Sequence, residues 1–180
     1  MKYCSDCGSK LEVRTKDQEW YCTSCSRHIY ANPIPTIDAA LFDDDGRVLL
    51  GVRNRKPGLG KLNLPGGFVD DAETFEQAIH RELSEELALK PEDYSKLVYA
   101  GSRVDSHTQD GKTRVLLIVI MIGSIKHRDF SPNDEVSKYL WKLPAELSRS
   151  DMTGEEYQHL IKAEKLWKST TRNILDLNNK

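Results

Sequence analysis

Two groups of residues in this chain carry ligand chemistry by type and spacing. The first is acidic: Glu73, Glu82, Glu85 and Glu86, with Arg81 among them. If this stretch is helical, about 100° per residue puts Glu82 at zero, Glu86 near +40° and Glu85 near −60°. Phe75, Ala78 and Ile79 then fall at roughly +20°, −40° and +60°, so the carboxylates extend the stripe that faces the protein. A solvated face would lie opposite. Carboxylates turned inward at close quarters repel one another and lose hydration unless cations compensate. Hard divalent ions such as Mg²⁺ or Mn²⁺ are their natural partners.

The second group is sulfur. Cys4-Ser-Asp-Cys7 and Cys22-Thr-Ser-Cys25 are two CxxC pairs with 14 residues between them. A two-residue gap lets both thiolates of a turn point at one ion, and Gly8 suits the sharp backbone of such a knuckle. A segment of this size cannot bury enough apolar surface to fold unaided, and a metal is the usual remedy. Disulfides are the competing reading, disfavoured in a reducing cytosol. Replacing one sulfur by His28 is unnecessary with four in place. The spacing predicts a four-cysteine zinc ribbon over residues 1–30, with structural Zn²⁺ on Cys4, Cys7, Cys22 and Cys25.

Elements to position these groups are legible nearby. Tyr30 to Pro35 is proline-broken and extended, a linker into a strand. Ile34 to Phe42 and Arg47 to Arg53 flank Asp43-Asp44-Asp45-Gly46 as a hairpin. Pro65-Gly66-Gly67 can approach a ligand closely, because glycine lacks Cβ. Thr74 with Gln77 forms a capping box opening a helix to Leu87. Lys96 to Val104, Thr113 to Ile122 and Ser137 to Leu143 read as strands, the second apolar enough to be buried on both faces. Thr153 with Glu156 opens a helix to about Lys168. Strands grouped around a few helices imply a mixed α/β layer fold.

The acidic segment resembles the Nudix box, G-x5-E-x7-R-E-U-x-E-E-x-G-U with U a bulky aliphatic residue. Gly67, Glu73, Arg81-Glu82-Leu83, Glu85-Glu86 and Leu89 match at the right spacing, and Leu64 to Val69 looks like the usual lead-in. Ala88 stands where the box has its late glycine. If the helix exit there is left-handed, alanine costs about 1 kcal/mol. Leu62 stands where many relatives carry tryptophan.

The resemblance implies an α/β/α sandwich with a mixed sheet: a zinc ribbon, a Nudix domain over residues 31–147, then a C-terminal helix and tail over 148–180. It implies hydrolysis of a diphosphate linking a nucleoside to another group. Glu82, Glu85, Glu86 and the Gly66 carbonyl would hold Mg²⁺ or Mn²⁺, with Arg81 and Glu73 orienting the glutamates. Glu135, ahead of the last strand, is a candidate for a further metal ligand or general base. Arg53, Arg55 and Lys61, beside Gly67, could contact phosphate. A ribbon ahead of such a domain resembles the NADH pyrophosphatase-like branch and its shorter zinc-ribbon relatives. That branch's Ser-Gln-Pro-Trp-Pro-Phe-Pro signature is absent. Val104, Asp105 and Ser106 occupy the region where some ADP-ribose hydrolases carry a proline. The substrate thus stays open among ADP-ribose, NADH, FAD and similar compounds.

Composition narrows the partners. The chain has 180 residues, 26 Lys and Arg against 28 Asp and Glu, and a formal net charge of −2. That balance, with few basic residues between the cysteine pairs, argues against nucleic-acid binding through a basic field. It disfavours a nucleotide-sensing regulator whose ribbon contacts nucleic acid; the ribbon is expected to be structural or to support a homodimer. A Nudix isomerase acting on an isoprenoid diphosphate would need a different catalytic pair. The apolar run from Val115 to Ile122 is far short of the roughly 20 residues that cross a bilayer. Cys4, Asp6 and Cys7 sit where a signal peptide would be apolar. A cytoplasmic enzyme with a small-molecule nucleotide substrate is the expectation.

Overall fold

The computed structural model describes residues 3–13, 19–30, 32–109 and 111–178. The chain forms two compact units, one ending at Pro33 and one beginning at Ile34. In the first, strands β1 (Glu12–Val13), β2 (Glu19–Cys22) and β3 (Arg27–Tyr30) pair antiparallel in that order. Cys4, Leu11 and Cys22 are its buried apolar centre, flanked by Trp20, Cys25 and Ile29. Two of those three buried residues are cysteine, too little hydrocarbon to hold a fold alone.

The second unit is built on a seven-stranded sheet. Its strands are β4 (Ile34–Phe42), β5 (Val48–Arg53), β6 (Leu62–Asn63), β7 (Gly66–Phe68), β8 (Val98–Gln109), β9 (Lys112–Ser124) and β10 (Val136–Lys142). The main order is β10-β5-β4-β9-β8, with β6 on β5 and β7 on β4. β4 and β9 run parallel, from Ile34↔Leu116 to Phe42↔Ser124, and the other pairs are antiparallel. Strand β9 is buried from Ile118 to Gly123, as its apolar run requires. β8 and β9 extend as a hairpin past the expected Val104, because pairing continues to Gln109↔Lys112.

Helix α1 (Phe75–Leu87) packs Ala78, Ile79, Leu83 and Leu87 with Ile37, Ala39, Leu41, Val119 and Met121 of the sheet. Helix α2 (Glu156–Asn178) contributes Leu160 and Ala163 to a second core with Ala40, Phe42, Ile120 and Ile122. The alternating residues of β4 and β9 therefore feed two cores, one under each helix. This is the expected α/β/α sandwich. Trp167 stacks on Phe42 at 4.8 Å between ring centroids. No described helix is long and apolar enough to cross a membrane.

Candidate active site

The expected β4–β5 hairpin pairs directly only at Phe42↔Val48, beside its turn. Beyond that point the strands part, and each takes another partner: Thr36, Ile37 and Asp38 pair with Phe68, Gly67 and Gly66, while Gly51 and Val52 pair with Asn63 and Leu62. The segment Leu62–Phe68 thus fills a wedge inside the sheet, and its backbone cannot shift without breaking two ladders. Gly66 has φ +141, and a Cβ there would run into the carbonyl of Ile37. A Cβ on Gly67 would run into the Glu82 carboxylate. Both glycines are dictated by close approach.

Thr74 caps α1 as expected: its hydroxyl accepts from the Gln77 N–H and the Gln77 side chain accepts from the Thr74 N–H, at 3.2 and 2.9 Å. Ala88 ends the helix at φ 52, ψ 32, in the left-handed region anticipated for the box glycine. These two ends set the helix phase, and with it the carboxylates.

Arg81 organises them. Its Nε and Nη2 donate to the two oxygens of Glu73 at 2.9 and 3.0 Å, a bidentate fork. Nη2 also donates to the Phe68 carbonyl at 2.9 Å, tying α1 to the glycine loop. Nη1 donates to Glu82 at 2.9 Å and Glu85 at 3.3 Å. The fork holds the Glu73 carboxyl below its usual range. Burial pushes Glu82 up, against the pull of Arg81. Glu86 is pushed up to about 8, chiefly by burial, although it accepts from the Gly66 N–H at 3.1 Å; Glu82, Glu135 and Asp38 add like-charge repulsion. Glu85 differs from the wheel's inward placement, with its side chain 61% exposed at the rim. Its position at −60° is the edge of the stripe.

A cleft of about 1150 Å³ runs past Gly66, Gly67, Glu82, Glu85 and Glu86. Arg53, Arg55, Lys61 and Glu135 line it as well, so every expected site residue of this unit lines it except Glu73 and Arg81, which stand behind Glu82. The expected phosphate contacts have partners already. Arg55 pairs with Glu135 at 2.5 Å, Arg53 donates to the Pro57 carbonyl at 2.9 Å, and Lys61 donates to the Ser150 carbonyl.

The cleft also holds Asp38, Arg103, Asp105 and Glu156, to which sequence reasoning assigned no site role. Asp38 is an ionic residue inside β4, a strand that otherwise buries most of its side chains, a signal that could have marked it; Arg103 lies on the largely exposed β8 and had no such signal. Arg103 Nη2 lies 3.4 Å from Asp38, and the Arg103 side chain is 7% exposed. Burial, with Glu156 nearby, pushes Asp38 up to about 8, although Arg103 pulls it down. Glu156 departs from the expected capping box. Its carboxylate accepts from the Leu64 N–H at 2.7 Å and the Thr153 hydroxyl at 2.9 Å, pinning α2 to the loop before Gly66.

In the first unit the four cysteines are free thiols whose sulfurs lie within 4.8 Å of one another. Cys4 and Cys25 are 3.6 Å apart and Cys7 and Cys22 3.4 Å. A tetrahedral ion with Zn–S of about 2.3 Å sets sulfurs about 3.8 Å apart, whereas a disulfide needs about 2.05 Å. The donor set fits zinc. Cys7 is held down at about 6, first by the Ser9 side chain and backbone, which favours its thiolate. The carboxylates fit Mg²⁺ or Mn²⁺ by donor type. They line one wall without crowding as the sulfurs do; among the described residues the cysteines are the one group with ligand atoms that close.

Residues 32–163 match the NUDIX domain family. The chain is 33% identical over 118 residues to the ADP-ribose pyrophosphatase of Methanocaldococcus jannaschii, covering 65% of this chain and 63% of that protein. It is 34% identical over 89 residues to the NAD-capped RNA hydrolase NudC of Escherichia coli, covering 49% of this chain and 34% of that one. The chain thus matches less than two thirds of the length of either relative. Among solved structures, a NUDIX hydrolase from Nitrosomonas europaea superposes with a TM-score of 0.65 at 22% identity, over 92% of this chain and 91% of that one. That likeness bears on the fold alone.

Proposed function

The chain belongs to the Nudix family, and from that premise we propose that it hydrolyses the diphosphate bond of a nucleoside diphosphate joined to a second group. Compounds of the ADP-ribose, NADH or FAD type are the substrates to test first. The observation that carries the reading is the Arg81 fork. One guanidinium holds Glu73 and Glu82 in place and ties them to the glycine loop at Phe68. Such a clamp commits a partly buried cation to orienting acids, which a solvated charged face would not need.

Divalent ions held by Glu82, Glu85, Glu86 and the Gly66 carbonyl would neutralise the diphosphate and lower the pKa of bound water. The chain's own groups do the rest. Gly66 and Gly67 bring backbone against the substrate without side-chain obstruction. Arg55 turns from Glu135 to a phosphate oxygen, leaving the Glu135 carboxylate to take the proton of the attacking water. Water oxygen bonds to phosphorus, the bridging P–O bond breaks, and two phosphomonoesters leave. Arg53 and Lys61 add positive charge along the same wall.

The four-cysteine unit would hold Zn²⁺ in a structural role, since four protein sulfurs leave no open position for substrate. The experiment is a product screen over ADP-ribose, NADH, FAD and sugar nucleotides with Mg²⁺ and Mn²⁺, run on wild type and Glu82→Gln. Two phosphomonoesters from one of these, lost in the variant, support the reading. Absence of turnover on all of them, or an unaffected Glu82→Gln, refutes it.

A further inference from the structure

We propose that Arg103 and Asp105 read the nucleobase of the ligand, on a floor of the sheet beside the diphosphate site. The idea rests on the hydrolase reading only for where the diphosphate lies. Across the sheet, Phe68, Thr36, Ile118 and Arg103 stand in one row, through the pairs Thr36↔Phe68, Thr36↔Ile118 and Arg103↔Ile118. Three strand spacings of about 4.8 Å put the Arg103 backbone about 14 Å from the glycine loop. Between them Ile118 and Leu116 form a buried apolar floor of the cleft. A planar ring suits that floor.

At its far side Arg103 is built in and only partly used. Its side chain is 7% exposed, Nη2 reaches Asp38 at 3.4 Å, and Nε lies 3.9 Å from Asp105, beyond hydrogen-bond length. Nε and Nη1 have no hydrogen-bond partner among the described residues. Buried donors left without acceptors are uncommon in folded proteins, because each gives up water without return. A ligand atom that accepts is the simple remedy. Asp105, 24% exposed on the same cleft wall, offers an acceptor for an amino or ring N–H beside it.

The surrounding charge selects a neutral group over an anion. Asp38 and Asp105 flank the guanidinium from the sheet, and α2 presents Glu156 and His159, with Glu155 and Lys162 near the histidine. Burial, Arg103 and Lys162 hold His159 below its ordinary range. The guanidinium is hemmed in by three carboxyl groups, and each of them repels a phosphate wherever it is ionised. Of the other positive residues of the cleft, Arg53 acts on Glu156, while Arg55 and Lys61 are engaged by Glu135 and the Ser150 carbonyl.

Calorimetric titration of the full chain without divalent ions tests this, with adenosine and AMP as base-bearing probes and ribose 5-phosphate as the anion probe. The variants are Arg103→Gln, Arg103→Lys and Asp105→Asn, each checked for an unchanged circular dichroism spectrum. Expected is binding of adenosine and AMP by wild type and a loss of about 10-fold or more in Arg103→Gln, one charge-assisted hydrogen bond's worth. Lysine should not restore it, since it lacks the fork. Asp105→Asn, which leaves the guanidinium in place, keeps the test alive should Arg103→Gln not fold; a loss of adenosine binding is expected there too. In turnover the loss should appear in KM with kcat nearly unchanged. Wild-type adenosine affinity in folded Arg103→Gln, equal weakening of ribose 5-phosphate, or no adenosine and AMP binding by wild type overturns the proposal. Arg103-dependent adenosine binding without any diphosphate turnover would sink the hydrolase reading and leave this one standing.

Discussion

The two ligand clusters of this chain stand in opposite states. The four sulfurs of the first unit are crowded together, in a segment whose apolar centre is little more than those cysteines. The carboxylates of the second lie along a cleft wall, with Glu82 and Glu85 held by one arginine, on a helix whose adjoining residues pack into a large core. The difference is one of dependence. Where ligands are most of the core, the ion is part of the fold; where a core already exists, the ion is recruited to a finished surface.

Removing metal should therefore break the two regions unequally, and the largest effect is expected in the ribbon. Structural zinc in small motifs is worth about 10–16 kcal/mol. A strong chelator, or Cys22→Ser, should abolish amide protection over residues up to Pro33. Protection in β4, β9 and α1 should stay. Hydrogen exchange read by mass spectrometry checks this, and simultaneous loss of both units would erase the contrast.

Next in size is the cleft. Glu82→Gln and Glu86→Gln should each cut kcat by about 100-fold or more, because charge developing on the phosphoryl group loses its counter-ion support. Exposed Glu85 should cost less than either. Steady-state kinetics with Mg²⁺ would decide; equal losses at all three positions would remove the distinction between wall and rim.

The third prediction concerns pH. Glu86 sits at about 8 in the metal-free fold, against about 4.3 in an unfolded chain. Between those values the folded state keeps a proton that the unfolded state has released. Metal-free stability thus falls as pH rises from about 4.3 to about 8, and levels off above. Glu86→Gln should remove its own share of that slope, leaving that of Asp38, and melt about 4 °C or more above wild type at pH 9 without divalent ions and level with it at pH 4. Thermal scans at the two pH values read it directly, and saturating Mg²⁺ should reverse the order.

The smallest effect is at the end of α1. Ala88 sits at φ 52, a conformation costing a non-glycine residue about 1 kcal/mol or more. Glycine relieves that strain but loses more entropy on folding, about 0.4–1 kcal/mol. Ala88→Gly should gain about 0.5 kcal/mol by urea melting with kcat unchanged. A loss of stability would place the helix end elsewhere.

Much of this was legible because it is local. The CxxC gaps, the Thr74–Gln77 box and the 3.6-residue wheel each act within a turn or two, so residue type and spacing carry them. Glu85 was read too far inward because a wheel has no rim. The hairpin is there, but its parting beyond Phe42↔Val48 was not legible, because nothing in β4 or β5 announces that Leu62–Phe68 will separate them. Glu156 was read as half of a cap, when its carboxylate serves Leu64 instead.

What the sequence by itself determined is therefore the inventory of ligands and the helix and strand periods that display them, all effects of short range. Which groups meet was decided only by tertiary structure. Asp38 and Arg103 lie on strands separated by β9, and the N-terminus of α2 closes on the glycine loop from far along the chain. Those meetings follow from the sheet order and from burial in two cores, and no spacing along the chain encodes either.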